Sequence, residues 1–343
     1  MGMQVARGFR MRHIRRRMRS APLPLWLLLL LLLCSALVLP ARAAHRCGDD
    51  VDGHPAPCGC GDLLVSSRTL GPADRVTKEH CPADGLFVMA SGPVTLALNG
   101  RTIQGEGQGT GILVLHGRLT LAGPGTVEGF ATGLAAHGQG ALASVSGMRF
   151  AGNRLDGVSV VGDGFVIQSS DAEDNGRDGF VLGGNGYGLD DDRASRNGRY
   201  GFHLSGTGAQ VGSALGTLAE ANHMAGFMVR GMMHTFVGAT AVANESDGIY
   251  LWVMKTHLVG LHADANQGDG VHAMGKLITI ANSSATANRG LGIWVMGTGA
   301  ADDGGNHGAD NAGYAGETDV RSKMLAGNPG LVQCRVGAAS VCR

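Results

Sequence analysis

Asn175-Gly176-Arg177-Asp178-Gly179-Phe180 returns 22 residues later as Asn197-Gly198-Arg199-Tyr200-Gly201-Phe202, and the same six-residue pattern opens at Asn153, Asn222, Asn244, Asn266 and Asn288. The spacing is 22 residues throughout, except for 25 between Asn197 and Asn222. The glycine four places after each asparagine falls at Gly157, Gly179, Gly201, Gly226, Gly248, Gly270 and Gly292; Gly133 and Gly111 keep the phase without the asparagine, and Gly85 before Leu86 opens a further unit. Behind the glycine comes apolar, any residue, apolar: Val158 and Val160, Phe180 and Leu182, Phe202 and Leu204, Phe227 and Val229, Ile249 and Leu251, Ile293 and Val295. Period two is the signature of a strand. Alanine stands three before each asparagine from Ala172 to Ala285, and a second apolar strand precedes it, as in Thr235-Phe236-Val237. No stretch sustains a 3.6-residue period.

A 22-residue unit of short strands cannot bury a core alone, but it can stack. The reading is all-β: a right-handed parallel β-helix, a single-stranded solenoid of about nine to ten coils, one coil per unit. Leucine-rich repeats have a similar length but need a leucine framework, and WD or kelch units are about twice as long. Coils rise by ~4.8 Å each. Stacked asparagines at one turn then form a hydrogen-bonded ladder of Asn153, Asn175, Asn197, Asn222, Asn244, Asn266 and Asn288 that satisfies a bent backbone. The competing reading is a ligand-binding row. The glycines are expected to serve positive φ or close packing. Phe180, Phe202 and Phe227 should stack inward, and Arg149, Asp171 and Arg193 should stack outward as an alternating ion ladder.

Composition narrows the class. The 58 glycines follow no G-X-Y period and prolines number 10, which excludes collagen; 16% charged against 44% hydrophobic residues excludes bulk disorder. Residues 1–43 hold eight arginines and no acid, then an apolar run from Leu25 to Leu39 and an Ala41-Arg42-Ala43 site. That order is a secretory signal, too short in its apolar part for an ordinary spanning helix; an uncleaved anchor is the alternative. Without it, 20 basic residues face 28 acidic ones, about −8, against nucleic acid or an anionic membrane as partner. The remaining cysteines, Cys47, Cys58, Cys60, Cys81, Cys334 and Cys342, lie at the two ends and read as disulfides of an exported chain. Locality pairs Cys47 with Cys58, Cys60 with Cys81 and Cys334 with Cys342. The expected organisation is a signal over 1–43, a disulfide-rich cap over 44–84, coils over 85–299 and a C-terminal cap over 300–343, with a secreted, extracellular or periplasmic location.

These features resemble the secreted right-handed parallel β-helix proteins, the superfamily that includes pectate lyases. The Cys60-Gly61-Asp62 opening, Val94-Thr95-Leu96-Ala97-Leu98-Asn99-Gly100, the coils, and Gly327-Asn328-Pro329-Gly330-Leu331 carry the resemblance. It implies the fold, and lyases, hydrolases, epimerases and proteins without known activity all share it. The Gly-His-Gly and Arg-Ile-Lys motifs of polygalacturonase-like enzymes, the Asp-Pro-His-Asp motif of alginate epimerases and the paired arginines of pectate lyases are not found here. Catalytic residues are therefore left unassigned.

Columns of stacked side chains say more. The second residue after each glycine should point outward, giving Ser159, Val181, His203, Met228, Tyr250, His272 and Trp294. Two further on stand Val161, Gly183, Ser205, Arg230, Trp252, Met274 and Met296. From Met228 onward this face is aromatic and methionine-rich, which calls for a partner or a cover. The candidate ligand-binding residues are Arg230, Tyr250, Trp252, His272 and Trp294, an aromatic platform for sugar rings with polar contacts beside it. The leading function is binding of an extracellular polysaccharide, its modification left open; the alternative is a non-enzymatic surface or protein-interaction module using the apolar stripe. Asp156 over Asp178 and Asp247 over Asp269 could share a proton or a cation such as calcium, but aspartate before glycine is ordinary turn chemistry and should splay into water. His203 and His272, three coils apart at roughly 14 Å, cannot share a metal. No metal and no cofactor are predicted.

Overall fold

Three short strands recur in each coil, and each pairs in parallel with its counterpart one coil on. In the coil after Gly179 they are Phe180–Asn185, Gly188–Asp190 and Arg193–Ser195. The first pairs with Phe202–Thr207 in the register Phe180↔Phe202 and Leu182↔Leu204, the second places Leu189 on Val211, and the third places Ala194 on Ala219. The result is an all-β parallel solenoid of about eleven turns. The computed structural model describes residues 44–138, 142–212 and 216–312 and the backbone of 332–333 and 340–341. The proposed signal over 1–43 and the Cys334–Cys342 pair lie outside the described residues.

Alternation decides what faces in. Phe180, Phe202 and Phe227 are fully buried, with ring centroids 5.0 and 4.8 Å apart in near-parallel stacks. Leu, Val and Ile of the other coils continue the same core. The offset between paired residues changes from 22 at Leu189↔Val211 to 25 at Arg193↔Leu218, so the three extra residues of the 25-residue unit fall between Val211 and Leu218 and the register on either side is kept. More of the N-terminal segment belongs to the stack than periodicity implied. Asp62–Leu64 pairs with Leu86, Phe87 and Val88, and Gly61 N–H donates to the Gly85 carbonyl at 2.7 Å. That unit lacks the asparagine, so its phase is not visible as a repeat. Cys47–Cys58 and Cys60–Cys81 are both bonded, which fits an oxidising compartment. No helix among the described residues is long and apolar enough to cross a membrane.

The asparagine column is a continuous ladder. Each Nδ2 donates to the Oδ1 one coil on at 2.9–3.0 Å from Asn153 to Asn288, and Asn288 reaches Asn311, an eighth member. These side chains are at most 2% exposed. The turn glycines serve close packing. A Cβ on Gly179 would meet the Gly201 carbonyl at 2.7 Å and Asn197 Nδ2 at 2.8 Å.

Candidate functional site

The two outer columns stand in register. Met228 sits on Tyr250, Tyr250 on His272 and His272 on Trp294; beside them Arg230 sits on Trp252, Trp252 on Met274 and Met274 on Met296. Every candidate residue therefore lies on one face of neighbouring coils. Tyr250, His272 and Trp294 touch as rings: Tyr250 meets His272 edge-on at 5.0 Å, and His272 stacks on Trp294 at 4.4 Å. Trp252 is 62% exposed and Arg230 is also exposed, while Tyr250, His272 and Trp294 are half-buried. The tail strand Val332–Gln333 pairs antiparallel with the last coil at Val295 and Trp294. That pairing lies along the edge of the stack, and Trp252 stays open.

A cleft of about 310 Å³ runs beside this stripe, lined by Tyr200, Met228, Asp247 and Tyr250 among others. A larger one, about 500 Å³, lies at a different corner, against Asp171, Asp191, Asp192, Arg193 and Thr217. Its chemistry is structural. Asp192 Oδ1 accepts the Ser170 N–H at 3.0 Å and Oδ2 the Asp190 N–H at 3.1 Å, and burial pushes the Asp192 carboxyl up to about 8. Size alone would favour this cavity, but it holds no aromatic surface, so the stripe is the candidate site. The buried corner position is polar in three successive coils, at Ser170, Asp192 and Thr217, then apolar at Ala239 and Leu261 and polar again at Ser283; the spacing of 22 or 25 residues could have exposed the first three.

Two expectations need correction. Arg149, Asp171 and Arg193 do stack in register, yet the guanidinium groups turn elsewhere. Arg149 binds Glu173 and lies 3.6 Å from Glu128, and Arg193 binds Glu220 at 2.5 Å. Glutamate two residues on shares the outer face of the strand and reaches further than aspartate. Burial opposes ionisation of Glu173, but Arg149 and Arg196 hold its carboxyl below the ordinary value. Asp171 is raised instead, by burial and then by Glu173.

The aspartates before the turn glycines do not splay into water. Asp156, Asp178 and Asp269 are buried and Asp247 is half-buried. Each turns one oxygen onto the backbone of the next coil: Asp156 Oδ1 accepts from Asp178 N–H, Asp178 from Tyr200, Asp247 from Asp269 and Asp269 from Leu291, at 2.7–3.2 Å. The column is a second polar bracket, which turn chemistry read one coil at a time does not reveal. It also places His272 Nδ1 against Asp247 and Asp269, so the imidazole joins the aromatic stripe to a pair of carboxylates.

No protein-family model matches the chain, and no curated protein sequence matches it. Among solved structures it is similar to a variant of the periplasmic alginate epimerase AlgG, at TM-score 0.40 and 14% identity over 66% of this chain. The match covers 60% of the epimerase chain, so this chain spans less than two thirds of that length. It is also similar to the pectate lyase Pel9A (TM-score 0.35, 13% identity, 72% of this chain and 80% of that one). A third similar structure is the A-module of the Azotobacter vinelandii mannuronan C-5 epimerase AlgE6 (TM-score 0.27, 16% identity, 74% and 82%). The strand pairings of this chain themselves define it as a parallel β-solenoid.

Proposed function

We propose that this is an exported protein that binds an extended polysaccharide along the face carrying Arg230, Tyr250, Trp252, His272 and Trp294. The observation that supports it most is Trp252, 62% exposed in the middle of a straight, in-register column. An indole held open on a rigid sheet offers a flat apolar face at little ordering cost, and pyranose rings present C–H faces of matching size. Coils at ~4.8 Å spacing make the contact repetitive, which suits a polymer better than a small ligand. No reaction is assigned.

The test uses the two tryptophans of the stripe. In free protein a soluble quencher should reach Trp252 more readily than Trp294, and a bound oligosaccharide should protect Trp252. Trp252→Ala should weaken binding by about tenfold or more, the loss of one aromatic contact and its buried area. Unchanged quenching and unchanged affinity across a panel of acidic and neutral glycans would remove the platform reading and leave the stripe as a protein-binding face.

A further inference from the structure

Aspartate precedes the turn glycine in two pairs of coils, and the two pairs are neutralised differently. Around Asp156 and Asp178 the following coil supplies arginine: Arg177 binds Asp156 through both oxygens at 2.5–2.8 Å, and Arg199 lies 3.7 Å from Asp178. The equivalent positions after Asp247 and Asp269 are Gly268 and Gly290. A Cβ there would come within 2.2 Å of Asp247 Oδ1 or 2.3 Å of Asp269 Oδ1, so the site is built without that side chain. An imidazole also approaches the first pair, where His203 Nδ1 lies 3.4 Å from Asp178 Oδ2 alone; in the second pair one imidazole faces both carboxylates and no arginine stands at the equivalent positions. His272 Nδ1 is 3.5 Å from Asp247 Oδ2 and 3.3 Å from Asp269 Oδ2. The Oδ1 atoms of both carboxylates are held by backbone N–H groups, which fixes the Oδ2 atoms toward the ring.

Those separations exceed a good N–H···O bond of about 2.7–3.2 Å. They match the edge of a tetrahedron whose ligands stand about 2.0–2.2 Å from a central ion, roughly 3.3–3.6 Å. One ligand atom from each of the three residues lies within 4.8 Å of the others. His272 Nε2 is buried and makes no hydrogen bond. An ion on Nδ1 would supply to this pair the positive charge that arginine supplies to the first. We propose that Asp247, Asp269 and His272 bind one divalent ion of the zinc class through two carboxylate oxygens and Nδ1, with a fourth position open to water. A three-residue set containing imidazole suits zinc-class ions; calcium takes six to eight oxygens. Asp247 also lines the cleft beside Tyr250, which gives the ion a route from solvent. This inference does not rest on glycan binding and is tested without a glycan.

The experiment is a titration of the untagged, chelator-treated full chain with Co2+ and Zn2+. One equivalent of Co2+ should develop the intense visible bands of a tetrahedral site, and Zn2+ should displace them. Asp247→Asn and His272→Gln should each weaken binding by at least about 100-fold, since even outer partners of a metal ligand are worth about 10–100-fold. His223→Gln, which removes an exposed histidine, should bind as the parent does. X-ray absorption at the zinc edge of the unsubstituted protein gives a reading independent of variant folding: four nitrogen or oxygen ligands at about 2.0–2.2 Å. Absence of stoichiometric binding, a six-coordinate spectrum, calcium binding without zinc binding, or undiminished affinity in both variants would each overturn the proposal.

Discussion

Asn222 uses its amide four times. Oδ1 accepts the Asn197 N–H at 3.0 Å and Asn197 Nδ2 at 2.9 Å; Nδ2 donates to the Ala194 carbonyl at 3.1 Å and to Asn244 Oδ1 at 3.0 Å. That exhausts the side chain's capacity. Asn222→Ala should therefore cost about 2–6 kcal/mol in denaturant unfolding, from two or more buried groups left without partners at about 1–3 kcal/mol each. A ligand-binding row would instead lose affinity with little change in stability. Asp192 makes a different kind of prediction. Its folded carboxyl titrates near 8 because it is buried, against about 3.9 when unfolded. The folded state therefore holds a proton that the unfolded state releases. The stabilisation is complete below pH ~4 and is lost as pH rises toward about 8, with a slope of up to ~1.4 kcal/mol per pH unit. Asp192→Asn should flatten that slope; an unchanged pH profile would show that the carboxyl titrates normally.

The corners of the solenoid show what a strand pattern leaves out. The residue before each ladder asparagine is left-handed, and in four successive coils it is alanine: Ala221, Ala243, Ala265 and Ala287, with φ of 54–56°. An L-residue pays roughly 1–2 kcal/mol for that region, offset here because each N–H stays in the intercoil ladder, as Ala243 N–H does to the Asp264 carbonyl. Ala243→Gly should be neutral or stabilising by up to about 1 kcal/mol, strain relief set against the extra freedom of glycine in the unfolded chain; a clear loss in thermal unfolding would show that the strain is absent. Period and phase were legible in the sequence because one hydrogen-bonded coil needs one turn signal, and Gly-apolar-x-apolar set the facing of Ile249, Tyr250, Leu251 and Trp252. The corner conformations were not, since alanine carries no mark of left-handed backbone. The inward turn of Asp247 and Asp269 was hidden for a related reason. It depends on the backbone of the next coil and on the glycines beneath, and no single repeat contains both. The alternation puts His272 in the column with Tyr250 and Trp294, as its pairing does, but its carboxylate neighbours come from a column three positions away, before the turn glycine.

On the scale of the whole molecule each coil touches its neighbours, so stability is close to a sum of local terms. The N-terminal coils are pinned by Cys47–Cys58 and Cys60–Cys81, whereas the coils bearing Tyr250, Trp252 and Trp294 rest on the asparagine ladder and the buried aliphatic core. This separation has a measurable consequence. Cys60 and Cys81 close a loop of 21 residues, worth about 3 kcal/mol in the chain-entropy account. Replacing both with serine should loosen the segment that bond closes, Cys60 to Cys81, and the strands stacked on it, Leu86–Ala97 and Arg101–Gly105. Hydrogen exchange should rise there and decay within a few coils. Amides of Phe227–Met232 and Ile249–Val259 should keep their protection, and the quenching of Trp252 should be unchanged, because the perturbation must pass through several independent interfaces to reach them. Uniform loss of protection from end to end would mean that the solenoid unfolds as a single cooperative unit, and the stripe would then depend on the N-terminal disulfides as much as on its own coils.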